Sequence, residues 1–273
     1  MASSVVGYPN PDQASRARGL TQLDSATKIA VPWQGFWRFG LCEAAAEGGG
    51  SFRYVIQRRR GYGEESEPDP ERAAEEAGRR ARRKIRRYCA ANRLNRLGTL
   101  TYAGEGCHDA RRFREDIGAF FRRLRKETGG EAFPYVWVPE WHAGGHGLHA
   151  HVAVGRYMPR GLIECSWGQG FVNIKLIADL PVGSGALEEA RVAARYLAKY
   201  VSKAFDDRRE IGLHRYDVAR GFEPSTRLIV GRLVEEVLDQ ASVRMGGPPD
   251  VVWESRGQEG WAGPPAVWAS WPG

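Results

Sequence analysis

A chain of 273 residues with 42% hydrophobic content has enough apolar material for a sizeable core, and reads as one domain with extensions. Its net charge of +7 points to a polyanionic partner, and only six of its 40 basic residues are lysine, two of them Lys199 and Lys203. Cys42, Cys89, Cys107 and Cys165 lie far apart with no CxxC pairing, no apolar run approaches membrane length and no GxxxxGK[ST] occurs. Zinc knuckles, disulfide scaffolds, membrane spans and nucleotide-driven motors are therefore not expected, and a cytoplasmic setting is.

Residues 1–28 read as a flexible N-terminal tail. An N-terminal extension follows over 29–96. In it the strand-like VPWQGFWRFGL and SFRYVIQ are separated by EAAAEGGG, a hairpin or flexible loop, and a helix begins near Pro70 after the turn-rich GYGEESEPDP. Residues 79–96 hold nine basic residues and no acid. A solvated helix face is the plain reading, but that many like charges repel one another unless an anion sits there. Arg79, Arg80, Arg82, Arg83, Lys84, Arg86 and Arg87 are therefore candidate DNA-binding residues.

Residues 97–206 alternate strands and helices. LGTLTYAG is a strand, and DARRFREDIGAFFRRLRKETGG is a helix with Phe113, Ile117, Phe120, Phe121 and Leu124 on one face. FPYVWVPEW and LHAHVAVG are strands joined by HAGGHG. A short helix over 159–167, the strand GFVNIKLI and a helix from Gly185 to Phe205 complete the set. This order predicts an α+β fold: a central antiparallel sheet with helices on one face, ferredoxin- or RRM-like. Over 207–273 one helix, TRLIVGRLVEEVLDQ, and a Trp-, Pro- and Gly-rich tail are expected. Its Trp253, Trp261, Trp268 and Trp271 are read as a strap against the domain.

His149 and His151, two apart in a strand, project from one face. Closing the hairpin through residues 143–146 sets Glu140 opposite His149, so a carboxylate and two imidazoles can converge on one divalent ion, Mg²⁺ or Mn²⁺. His142 and His146 crowd the same turn and are the alternative ligands. On the last helix of this segment Ala190, Ala194, Leu197, Ala198 and Val201 make a core-facing seam, while Tyr196, Lys199, Tyr200 and Lys203 fall on the far side as neighbours. A metal, two phenols and a lysine are what attack on a phosphodiester needs: a polarised phosphate, a nucleophile and a cation to offset developing charge.

In this order LGTLTYAG, HAH at 149–151 and YLAKYVSK at 196–203 resemble the three motifs of the HUH endonucleases, the rolling-circle replication initiators of bacterial plasmids and single-stranded DNA phages. The YxxKY form is similar to their two-tyrosine type. The resemblance spans about 110 residues, 97–206, and implies the HUH nuclease topology there. It further implies metal-dependent nicking and joining of a single-stranded or hairpin origin, a 5′-phosphotyrosine intermediate, a free 3′-OH, and alternate use of Tyr196 and Tyr200. A host helicase and polymerase are the implied partners. A relaxase or single-strand transposase shares this chemistry, and a non-catalytic RRM-like nucleic-acid-binding module shares the fold without using the histidines or tyrosines.

Overall fold

The computed structural model describes residues 35–55, 70–176, 185–206, 215–261 and 263–273; the expected tail over 1–28 lies outside them. In chain order the elements are β1 (Gly35–Cys42), β2 (Glu47–Tyr54), α1 (Pro70–Ala91), β3 (Arg96–Tyr102), α2 (Ala110–Glu127), β4 (Tyr135–Trp141), β5 (Leu148–Val154), α3 (Arg160–Trp167), β6 (Gly170–Leu176), α4 (Ala186–Asp206), β7 (Asp217–Val218), β8 (Arg227–Gly231), α5 (Val234–Met245), β9 (Val251–Glu254) and β10 (Ala266–Ser270). They fall into two compact units, one over 65–224 and one joining 1–64 to 225–272.

The unit over 65–224 is built on a five-stranded antiparallel sheet in the order β6-β3-β5-β4-β7. Side chains alternate across it. Leu100, Tyr102, Trp137, Leu148, Ala150, Val152 and Val154 face one apolar core, which Phe113, Ile117, Phe120, Phe121 and Leu124 of α2 and Ile163 and Trp167 of α3 complete. Asp109 caps α2, its carboxylate accepting from the Arg111 and Arg112 amides at 2.8 and 3.1 Å, so the sequence-expected helix starts where its first orphan N–H groups find an acceptor.

The opposite face holds a second core: Leu97, Val136, Val138 and Ala153 from the sheet with Ala81, Ile85, Tyr88 and Cys89 of α1 and Ala193, Ala194, Leu197 and Val201 of α4. The α+β class and the antiparallel sheet are as expected. Helices on one face describes α2 and α3; α1 and α4 add a layer on the other. The cause lies in β5, where all seven residues are buried. A strand dry on both faces needs cover on both. The Tyr88 hydroxyl, donating to the Ala219 carbonyl at 2.9 Å, ties α1 to the chain just after β7, and burial pushes its ionisation well above the ordinary phenol range.

The other unit carries a sheet in the order β8-β1-β2-β10-β9. Here the sequence reading needs three corrections. The glycines of EAAAEGGG are not loop: residues 47–50 are inside β2, and the turn is Glu43–Ala46. Glycine is required because a Cβ on Gly48 would meet the Phe39 ring at 2.3 Å and one on Gly50 the Arg38 carbonyl oxygen at 2.0 Å. TRLIVGRLVEEVLDQ is a strand followed by a helix; β8 pairs with β1 before α5 begins at Val234. The Trp-rich tail is two strands, β10 pairing with both β2 and β9, with Trp271 buried and its indole N–H donating to the Gly247 carbonyl at 3.0 Å.

Candidate active site

The β4–β5 hairpin closes as its sequence predicts. The His142 amide donates to the Gly147 carbonyl at 2.8 Å across residues 143–146, and Gly145 and Gly147 take left-handed φ values of 79° and 76°. The register that follows sets Glu140 opposite His149 and Val138 opposite His151. All three candidate ligands therefore stand on the face covered by α1 and α4.

Their donor atoms converge. Glu140 Oε2 lies 3.1 Å from His149 Nε2 and 2.8 Å from His151 Nε2, and the two nitrogens are 3.2 Å apart. Two N–H groups cannot point at each other across 3.2 Å, so at least one Nε2 presents its lone pair. Thr99 Oγ1, 3.4 Å from His151 Nδ1, can accept a proton held on that other nitrogen, fixing the tautomer that leaves Nε2 free as a ligand. Two imidazole nitrogens and a carboxylate oxygen within one small volume fit a divalent cation, and this is the group of metal-capable side chains found among the described residues. His142 and His146 stand apart from it. His142 Nδ1 accepts from the Gly144 amide at 3.1 Å, and His146 Nε2 is 3.0 Å from the Tyr102 carbonyl; both serve the turn.

Above the histidines sit both tyrosines of α4. The Tyr200 ring stacks on His151 with centroids 3.5 Å apart and planes at 21°, and Tyr196 meets the same imidazole edge-on at 6.0 Å. The Tyr200 hydroxyl donates to the Tyr196 hydroxyl at 2.7 Å. Burial, then the bond to Tyr196, then the nearby Glu140 charge push the Tyr200 phenol well above its ordinary range. The tyrosines do not lie away from the buried seam, as helical spacing alone suggested. They pack against the same core as Ala193 and Leu197, because α4 is wedged between the sheet and α1 and buries a broader face. Lys199 is exposed on the helix, and the described contacts do not bring its ammonium to the carboxylate and imidazoles. The side chain of Lys203 lies outside the described residues.

The basic residues of α1 line the side away from its core. Arg80, Arg83 and Lys84 are exposed, while Arg79, Arg82, Arg86 and Arg87 are half-buried. The run is less uncompensated than its composition suggests: Glu75 and Glu76, one turn earlier, pair with Arg79 at 3.6 Å and Arg80 at 3.7 Å. Thr99 was missed in the sequence, since nothing local marks a threonine in β3 as the neighbour of a histidine 52 positions later.

Fold and site together define an α+β protein with a candidate divalent-metal site beside two hydrogen-bonded tyrosines. Residues 95–205 match a family described as Replication-associated protein ORF2, a stretch that holds β3 to α4 with Glu140, His149, His151, Tyr196 and Tyr200. The match supports a replication-initiator role. No curated protein and no solved structure matched the chain. Among the described residues no helix is long and apolar enough to cross a membrane.

Proposed function

We propose that the chain is a rolling-circle replication initiator of the two-tyrosine HUH type, which nicks and rejoins single-stranded or hairpin origin DNA through a phosphotyrosine. The observation that carries this reading is the meeting of two tyrosine hydroxyls, 2.7 Å apart, with a Glu-His-His cluster through the stacked His151 and Tyr200 rings, inside the family-matched segment. Glu140, His149 and His151 would hold Mg²⁺ or Mn²⁺, which when bound supplies Lewis-acid polarisation of a phosphate oxygen.

The side chains supply the rest. A tyrosine Oη attacks phosphorus; the new P–O bond to tyrosine forms as the P–O3′ bond breaks, leaving a 5′-phosphotyrosine and a 3′-hydroxyl. The proton released by the phenol is balanced by the one the 3′ oxygen takes up. The 2.7 Å bond between the phenols gives the attacking oxygen a hydrogen-bonded neighbour that stabilises its developing charge. The 3′-hydroxyl can attack the phosphotyrosine in reverse to rejoin the strand, and the second tyrosine can accept a second phosphate, so alternate use needs no domain motion. Lys199 assists by offsetting charge once DNA is bound. Arg79, Arg80, Arg82, Arg83, Lys84, Arg86, Arg87 and Lys203 hold phosphates. A host helicase and polymerase in the bacterial cytoplasm would use the freed 3′ end.

Incubating the protein with a labelled pool of single-stranded oligonucleotides and Mn²⁺ tests the reading. The expected result is a detergent-stable protein–DNA band that disappears with EDTA. Binding without any covalent band, across single-stranded and hairpin substrates, would return the chain to a non-catalytic binding module.

A further inference from the structure

β6 is an edge strand, and on the site's face of the sheet it carries an aromatic ring that belongs to neither apolar core of its unit. Phe171 is 70% exposed. The register fixes what stands beside it: Thr101 is opposite Phe171, Thr99 is opposite Asn173, and on its other side Thr99 is opposite His151. Carrying the β3–β5 pairing one residue past Leu100 puts Thr101 next to His149, whose further neighbour is Glu140. Phe171, Thr101, His149 and Glu140 thus form one row across the sheet, with Asn173, Thr99 and His151 in the next. At the usual strand spacing Phe171 stands about 10 Å from His149.

The surroundings of the ring are polar. Asn173 is exposed, and Thr99 and Thr101 are half-buried. A protein partner held by apolar contact needs a contiguous patch of several side chains, whereas here one π face is ringed by hydrogen-bonding groups. That combination suits an object with a flat apolar face and a polar edge. We propose that Phe171 is a stacking platform for one nucleobase of the single strand entering the tyrosine centre, with Asn173 bonding to the edge of that base or its neighbour. The inference rests on the reading of the site as a single-stranded DNA centre, and adds to it a subsite that holds the strand in register beside the phosphate to be cut. Stacking alone accepts any base, so Asn173 carries whatever preference the subsite has.

The test measures equilibrium binding of the full chain to a fluorescent single-stranded oligonucleotide in EDTA, so that cleavage plays no part. Phe171→Leu keeps an apolar strand residue but removes the π face, and Phe171→Trp restores one. The leucine variant is expected to bind about 5- to 100-fold more weakly, and the tryptophan variant to match the parent. Walking an abasic nucleotide along the oligonucleotide should reveal one position where the missing base weakens the parent by that same factor and weakens Phe171→Leu no further. A leucine variant that binds like the parent overturns the platform; adduct formation with Mn²⁺, scored separately, then still stands for the tyrosine chemistry. Loss of self-association in place of oligonucleotide affinity would overturn it too, by giving the ring to a protein partner. A parent that binds no single strand overturns both readings.

Discussion

His151 joins the two halves of the centre. One ring nitrogen lies 2.8 Å from Glu140 Oε2, the other 3.4 Å from Thr99 Oγ1, and the ring face carries Tyr200. Its position depends on the pleat: a one-residue slip of β5 would send both histidines into the opposite core and bring Ala150 to the site. If the cluster holds the metal, a His149→Ala, His151→Ala double variant should lose Mn²⁺ binding by calorimetry and all covalent adduct. Its oligonucleotide affinity should stay close to the parent's, because affinity rests mainly on phosphate contacts elsewhere. Adduct formation at the parent rate would remove these residues from the chemistry. Lys199 is exposed on the same helix as the two tyrosines. Lys199→Ala is expected to slow adduct formation in single-turnover kinetics while leaving affinity nearly unchanged, the signature of an interaction made in the transition state.

At the scale of elements, α1 has two jobs that its sequence mixes. Ala81, Ile85, Tyr88 and Cys89 build the core against α4, while Arg80, Arg83 and Lys84 face solvent. Replacing those three with glutamine should flatten the slope of log affinity against log salt by roughly 0.7 for each phosphate of a single strand that they neutralise; an unchanged slope would make the run a solvated helix face. The elements that were legible in the sequence are those whose causes are local. The β4–β5 turn needs only its glycines and a four-residue span, so Glu140 facing His149 could be read directly. The apolar faces of α2 and α4 follow from helical spacing. What escaped depends on distant partners: Gly48 is strand because Phe39 lies over it, residues 227–231 are strand because β1 offers an edge, and the tyrosines face inward because α1 and the sheet flank α4. No window of sequence contains those neighbours.

Over the whole molecule, the chain returns to complete its first sheet. β1 and β2 come from one end and β8, β9 and β10 from the other, so the sheet cannot form until the unit over 65–224 has been traversed. Trp271 anchors the return, its amide donating to the Ala46 carbonyl at 2.9 Å and its indole buried. Trp271→Ala should cost roughly 3–5 kcal/mol by chemical denaturation of the transition that includes this sheet. Deleting residues 250–273 should lower Tm while oligonucleotide affinity changes less; the opposite ranking would assign the tail tryptophans to DNA. The central claim is that Tyr196 and Tyr200 both take up the DNA strand, and the sequence makes it directly measurable. Trypsin cuts after Arg195, Lys199 and Lys203, which places each tyrosine in its own peptide, YLAK or YVSK. Adduct formed with Mn²⁺ is digested with nuclease and trypsin and read by mass spectrometry for the parent, Tyr196→Phe and Tyr200→Phe. The account predicts a phosphonucleotide on both peptides in the parent and on the surviving tyrosine in each variant. A nucleotide mass on neither peptide, or on a residue outside α4, would contradict it.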